Sequence, residues 1–307
     1  MTAQDIQTVD SNGTKIAYEL YGDEQFPVIL LIHGLGQTML AWPMAMVDKI
    51  VGQGFRVLRI DNRDQGHSQK FDHLKVPNML WQILKFKMGF RVNAPYPLTD
   101  LMKDTLGVLD ALNIDSVHVV GASMGGMISQ LLAINAPSRV KTLTSIMSTT
   151  GNQKLPGPTK DVAAHIMKKR KMKSKQEMVD YHIKTWQLVG SPAYPASQKQ
   201  LEEFVAEQMN RGMSAAGTAR QMLASFDTPN RADDLSQLKM PCLVIHGTDD
   251  PLIRVEGGIE TADSIPQAAM HLIEGMGHDL PVQLHDQICG LIVKQANLAE
   301  EKLKVAS

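Results

Sequence analysis

Ser123, Asp250 and His278 are the residues of this chain whose types and spacing best fit one chemical unit. A serine hydroxyl is a poor nucleophile until an imidazole accepts its proton, and that imidazole needs a carboxylate to hold it in the right tautomer. Ser123 lies in Gly121-Ala122-Ser123-Met124-Gly125-Gly126, a G-x-S-x-G string. The bare string is weak; its setting is stronger. The apolar run SVHVV enters it and the helical pattern MISQLLAI leaves it. That strand–turn–helix context lifts a serine Oγ clear of a sheet. Glycines two positions before and after the serine remove side chains that would collide in so sharp a bend. The start of the next helix favours developing negative charge.

The carboxylate should follow the serine in the chain, and the histidine should follow the carboxylate. Strand pattern PCLVIHG ends in Thr248-Asp249-Asp250-Pro251, past the carboxyl end of a strand and on the sheet edge expected for the serine. Adjacent aspartates cannot both aim at one imidazole. Pro251 fixes the turn directly after Asp250 and favours it, which leaves Asp249 as a solvated turn residue. The next run, AAMHLIEG, leads into Met276-Gly277-His278-Asp279, a glycine-flanked loop able to swing an imidazole over the elbow. His33 and His246 precede glycines at strand ends and read as loop braces. His118 and His271 read as strand residues, and His285 as a surface residue of the last helix. His67, His73, His165 and His182 are remote from the expected loop.

An oxyanion would need two backbone donors. One is the N–H of Met124, next to the serine. The other is that of Leu35 in His33-Gly34-Leu35-Gly36, where flanking glycines let main chain approach a substrate. No His/Asp/Glu grouping has metal-ligand spacing, and no cofactor is expected.

These residues need a sheet to align them. Continuous apolar runs at Pro27–Ile32, Phe55–Ile60, Ser116–Val120, Val140–Met147, Cys242–Ile245 and Ala268–Ile273 fit strands buried on both faces. Helical patterns such as Asp100–Leu112 and Met124–Ile134 lie between most of them, which predicts a doubly wound, mostly parallel sheet. Residues 5–22 read as a hairpin turning at Asn12-Gly13. The stretch 150–234 is too long for a bare connection and largely helical in pattern, so it reads as a cap inserted into a core formed by 1–149 and 235–307.

Composition narrows the partners. The 307 residues carry a net charge of -1, with 43% hydrophobic and 21% charged residues. That balance offers no global field for nucleic acid and favours a small-molecule partner. Cys242 and Cys289 are too few for a disulfide framework and read as buried thiols. No secretory signal or membrane span is legible, so stable membrane insertion is not expected and the cytoplasm is the default location.

The strings HGLGQTMLAWP, DNRDQGHS, GASMGGM, HGTDDP and IEGMGHDLP, in this order, resemble the α/β-hydrolase superfamily, most closely its aclacinomycin methylesterase-like serine esterases. The resemblance spans about residues 10–295 and is weak within 150–234. It implies an eight-stranded, mostly parallel sheet flanked by helices with a helical cap, a Ser123–Asp250–His278 triad, and Leu35 and Met124 as oxyanion donors. Many relatives carry R-G-x-G-x-S where this chain has Arg63-Asp64-Gln65-Gly66-His67-Ser68, a stretch expected to brace strand-end loops. Epoxide hydrolases and haloalkane dehalogenases of this scaffold use aspartate at the elbow, so serine points to an acyl-enzyme. The expected function is hydrolysis of short to medium acyl esters. Lactonase, C–C hydrolase and perhydrolase activities stay open within the same chemistry, and a ligand receptor of this fold is the alternative of another class.

Two segments stand apart. The lysine-rich run Met167–Lys175 reads as a solvated helix face. LWQILKFKMGF is amphipathic and is expected to pack beside the cap at a pocket mouth, contact with a membrane being the competing reading.

Overall fold

The structure is a computed structural model that describes residues 6–168 and 174–306; most of the lysine-rich run falls outside the described residues. The strands are β1 (Thr8–Ser11), β2 (Thr14–Tyr21), β3 (Val28–Ile32), β4 (Arg56–Ile60), β5 (Val117–Ala122), β6 (Val140–Ile146), β7 (Cys242–Gly247) and β8 (Ala269–Ile273). They form one eight-stranded sheet in the order β1-β2-β4-β3-β5-β6-β7-β8. The β1–β2 hairpin turns at Asn12 and Gly13 with φ of 53° and 83°, the left-handed pair that a two-residue type I′ turn requires. β2 is antiparallel to β4, and every pairing from β4 through β8 is parallel.

The helices before β6 are α1 (Met44–Val51), α2 (Met79–Lys87), α3 (Leu98–Ala111) and α4 (Met124–Asn135). Between β6 and β7 come α5 (Lys160–Met167), α6 (Lys175–Val189), α7 (Gln198–Asn210), α8 (Ala215–Asp227) and α9 (Ala232–Leu235); α10 (Val255–Ser264) and α11 (His285–Ala306) follow β7. Both faces of the sheet are covered. Leu30 and Ile32 of β3 pack into the cluster of Val108, Ile128 and Leu132, whereas Ile29 and Leu31 pack with Val47, Ile50, Ile288 and Ile292. Alternate side chains of one strand thus enter two cores, which is why β3 reads as an unbroken apolar run.

From β3 the chain moves one way to β4 and then crosses back to β5 on the other side. A crevice opens beyond the strand ends at such a reversal. The His33–Gly36 loop leaves β3 there, and Ser123 leaves β5 there. β5 runs further than its apolar pattern, through Gly121 and Ala122, because the ladder with Ser145 and Ile146 of β6 continues. Pairing overrides the weak strand preference of these two residues.

Both cysteines are free and buried, and burial pushes their thiols up to about 12 for Cys242 and about 11 for Cys289, so they stay protonated. His285 is a correction: it opens α11 as expected but is buried, with Nε2 3.1 Å from the Leu280 carbonyl oxygen. Among the described residues no helix is long and apolar enough to cross a membrane.

His118 of β5 is the core histidine that its strand position implied. Its Nδ1 lies 3.0 Å from the Thr142 hydroxyl and its Nε2 3.0 Å from the Glu300 carboxylate. Burial brings its pKa down to about 4 although Glu300 pulls the other way, so the ring is neutral near pH 7. Because the unfolded chain takes up that proton first, the associated stability is complete above the ordinary value of 6.5 and drains away as pH falls toward about 4. Urea titrations between about pH 7 and about pH 4.5 should therefore show a smaller loss of unfolding free energy in His118→Gln than in the parent chain. Equal losses would mean that the ring does not carry this linkage.

Candidate active site

Ser123 occupies a left-handed bend, φ 56° and ψ -121°, between β5 and α4. Such a conformation is strained for a residue with a Cβ, so its surroundings must hold it. The Ser123 N–H donates to Ile146 O at 2.9 Å, and the Ser123 carbonyl accepts from Gly126 N at 2.9 Å and from the Ser148 hydroxyl at 2.8 Å. A Cβ on Gly121 would strike the Gly125 carbonyl, and one on Gly125 would strike the Ile32 carbonyl. The two glycines let α4 sit directly against β3 and β5, which fixes the direction of the serine.

The structure brings the three sequence-derived residues together. Ser123 Oγ lies 2.9 Å from His278 Nε2, and His278 Nδ1 lies 2.6 Å from Asp250 Oδ2. With Nδ1–H donating to the carboxylate, Nε2 is left to accept the serine proton. Asp250 is fully buried; its Oδ1 accepts the Leu252 and Ile253 N–H groups at 2.8 and 2.9 Å. Burial works against its charge, yet the imidazoles of His278 and His246 hold the carboxyl well below the usual carboxylate range. Asp249 is exposed and takes the Gly275 N–H at 3.1 Å and the Thr248 hydroxyl at 2.7 Å, so it braces the turn.

The Leu35 loop runs beside the serine. A Cβ on Gly34 would stand 3.3 Å from Ser123 Cβ, and Gly36 has φ 68° with α8 residue Thr218 packed where its side chain would be. Among the described residues, the N–H groups of Leu35 and Met124 have no hydrogen-bonded acceptor. His33 braces this loop: Nδ1 lies 2.9 Å from Gly34 O, and Nε2 accepts the Asn62 N–H at 3.0 Å. Both contacts suit the neutral ring, and burial lowers its pKa. Among the described residues, no group of three His, Cys, Asp or Glu side chains is placed to hold a metal ion.

Sequence reasoning missed four contributors. His246, read only as a brace, lies 3.4 Å from Asp250 Oδ2, with Nε2 2.9 Å from Ile253 O. Its signal was the i, i+4 spacing to Asp250 across a strand end. Ser191, just past α6, accepts the Gly277 N–H at 2.8 Å and donates to Asp279, while the His278 N–H donates to Val189 O at 2.7 Å. Gln221 of α8 accepts the Gly36 N–H at 3.1 Å and donates to Arg63 O at 2.8 Å. Gln208 of α7 accepts the Thr38 N–H at 2.7 Å. Helices between β6 and β7 thus hold both the histidine loop and the Leu35 loop.

The Arg63–Ser68 stretch ties the same helices to the sheet. Asp64 has φ 72°, at a position where the wider family's string carries glycine, and its carboxylate forms a two-pronged pair with Arg220 at 2.7 and 2.8 Å. Tyr96 donates to the same carboxylate at 2.6 Å. Asp61 accepts the Met39 N–H at 2.8 Å and Arg211 Nε at 3.0 Å.

Known proteins share this architecture. A rhodomycin D methylesterase from Streptomyces sp. (strain C5) is 28% identical, over 91% of this chain and 93% of its own. A 2-hydroxy-6-oxononadienedioate/2-hydroxy-6-oxononatrienedioate hydrolase from Pseudomonas sp. is 25% identical, over 84% of this chain and 82% of its own. The crystal structure of the enol-lactonase from Burkholderia xenovorans LB400 superposes with a TM-score of 0.68 at 20% identity, covering 95% of this chain and 100% of that one. The family model for the α/β-hydrolase fold matches residues 27–283, and the chain belongs to that family.

Proposed function

We propose that the protein is a carboxylic ester hydrolase that works through a Ser123–His278–Asp250 triad and an acyl-enzyme. The observation that carries the reading is the unbroken hydrogen-bond chain from Ser123 Oγ through both ring nitrogens of His278 to Asp250, begun at a serine in a left-handed bend. The methylesterase relative, similar over nearly the whole chain, supports an ester as the substrate. Gly34 and Gly36 beside the serine present main chain rather than charge, which fits an uncharged ester of short to medium acyl length.

In this mechanism Oγ attacks the carbonyl carbon as Nε2 takes its proton. The oxyanion forms against the Leu35 and Met124 N–H groups, where each donor contributes about 3 kcal/mol by comparison with other hydrolases. The C–O bond to the alcohol then breaks, and the leaving oxygen receives the proton from Nε2. Water repeats the sequence on the acyl-serine and releases the acid. Helices α5–α9 serve as a cap, with 1–149 and 235–307 as the core and 150–234 as the insertion; the cap walls the pocket and also holds the reacting loops.

Replacement of Ser123 or His278 by alanine should lower kcat on a p-nitrophenyl ester by roughly 10⁴-fold or more, and Asp250→Asn by roughly 10³- to 10⁴-fold. Asp249→Asn should stay within a few-fold of the parent; if it is the more damaging of the two aspartate changes, Asp250 is not the triad acid. A panel that adds lactones and vinylogous diketones separates the substrate class from the triad assignment, since each substrate should depend on the same three residues.

The acid limb also has a definite form. Asp250 remains ionised below the usual carboxylate range, so its protonation should add no second proton to the acid limb of kcat/KM. A limb that steepens to two protons would mean that the carboxylate takes up a proton within the working range.

Ser191→Ala should reduce kcat about tenfold with KM nearly unchanged, because it frees the Gly277 N–H that orients the histidine loop. Rates are to be normalised to sites titrated with an acylating phosphonate. Full turnover per titrated site would make Ser191 a matter of folding alone.

A further inference from the structure

α2 is amphipathic in the inverted sense. Leu80, Trp81, Leu84 and Met88 fall within an arc of roughly 100° on the helix, and that arc faces solvent. These four side chains are between 46% and 60% exposed. The polar Gln82 points inward, buried, and its side-chain oxygen accepts the Asn93 N–H at 2.8 Å. Phe86 anchors the helix by stacking on Phe226 of α8, 4.4 Å between centroids. Phe90, just past the helix, is also exposed, and Met167 at the end of α5 extends the apolar surface, its sulfur 3.9 Å from Lys87 Nζ. The expected packing of this segment beside the 150–234 insertion is made through Phe86 on α8 and Lys87 against Met167, whereas most of its apolar surface is turned to water.

The rim of the patch is cationic. Lys85 and Lys87 flank the apolar arc on opposite sides, and Lys168 is exposed beside Met167. From Asp72 to Asp100 no acidic residue intervenes, while Lys75, Lys85, Lys87 and Arg91 do, in a chain whose net charge is only -1. Arg91 pairs with Asp227 of α8 at 3.1 Å, which leaves the lysines to set the sign of the rim. A second copy of this chain would bring the same lysines against one another, which opposes self-association through this face. A bilayer with anionic headgroups satisfies both features. Apolar side chains enter the acyl boundary, lysine stems lie along it, and their ammonium groups meet phosphates.

We infer that α2 and Phe90 form a peripheral docking face for an anionic lipid bilayer, lying in its interface and not spanning it. The inference goes beyond the proposed reaction and does not rest on it. The test is sedimentation of the full chain with vesicles of phosphatidylcholine alone and of phosphatidylcholine mixed with phosphatidylglycerol. The protein should sediment with the mixed vesicles, release in high salt, and shift its tryptophan emission to the blue, a shift absent in Trp81→Phe. Two double variants, Leu84→Glu with Met88→Glu and Lys85→Glu with Lys87→Glu, should each weaken partition by roughly tenfold or more. All four positions lie outside the proposed catalytic machinery, so turnover of a soluble ester reports that the variants are folded. No sedimentation with mixed vesicles, equal partition onto neutral ones, undiminished binding by either double variant, or a solution dimer that Leu84→Glu dissolves would each overturn the inference.

Discussion

The site depends on one backbone constraint, the left-handed turn at Ser123. A residue with a Cβ held at φ 56° stores strain of roughly 1–3 kcal/mol, and the structure answers with four hydrogen bonds on the serine's own main chain. The Gly126 and Met127 bonds belong to the first turn of α4, and the Ser148 hydroxyl joins them from beyond β6 because α4 lies close against the sheet. That approach is possible because Gly121 faces Gly125 and Gly125 faces Ile32 without intervening side chains. A methyl group at either glycine would push the helix off the sheet and turn the hydroxyl away from His278. The glycines of the string are therefore packing requirements, and the direction of Oγ is their consequence.

A second constraint operates across the helices from α6 to α8. The histidine loop is bonded to Val189 and Ser191, the Leu35 loop to Gln208 and Gln221, Asp61 at the end of β4 to Arg211, and Asp64 of the Arg63–Ser68 stretch to Arg220. Removing one member of a buried ion pair such as Asp64–Arg220 destabilises a fold by roughly 3–5 kcal/mol, because the partner is stranded away from water. The proposed cap is consequently no detachable lid. Its docking and the alignment of the His278 and Leu35 loops are one structural event, and a change in its packing reaches those loops directly.

This division also explains what was legible in the chain. Ser123, Asp250 and His278 stand next to strand ends, where apolar runs and glycines announce the geometry, and the fold class follows from the same runs. Asp250 could be preferred to Asp249 because Pro251 restricts the turn. Gln208, Ser191 and Gln221 carry no comparable mark. On a helix or in a loop a glutamine or serine looks solvated until a backbone N–H from a distant segment meets it, and periodicity does not encode such a meeting. α2 misled for the opposite reason. Its period of apolar residues is genuine, but periodicity states only that one side is apolar and is silent on whether that side is buried. Capture of Gln82 by Asn93 and the stacking of Phe86 on Phe226 decided the orientation.

The pattern of counter-charges separates bracing carboxylates from the proposed catalytic one. Asp61 is paired with Arg211, Asp64 with Arg220 and Asp104 with Arg63, each at 3.0 Å or less. Asp250, equally buried, has imidazoles and backbone N–H groups around its carboxylate; among the described residues no arginine or lysine pairs with that carboxylate, Arg254 reaching only the Asp250 backbone carbonyl at 3.3 Å. A permanent cation paired to the Asp250 carboxylate would satisfy its field at all times and leave little to gain from a proton arriving on His278. Without one, the buried charge is best satisfied when His278 becomes an imidazolium. That is the state the ring enters in the proposed mechanism as it takes the Ser123 proton, and there the missing partner would couple the carboxylate to the reaction.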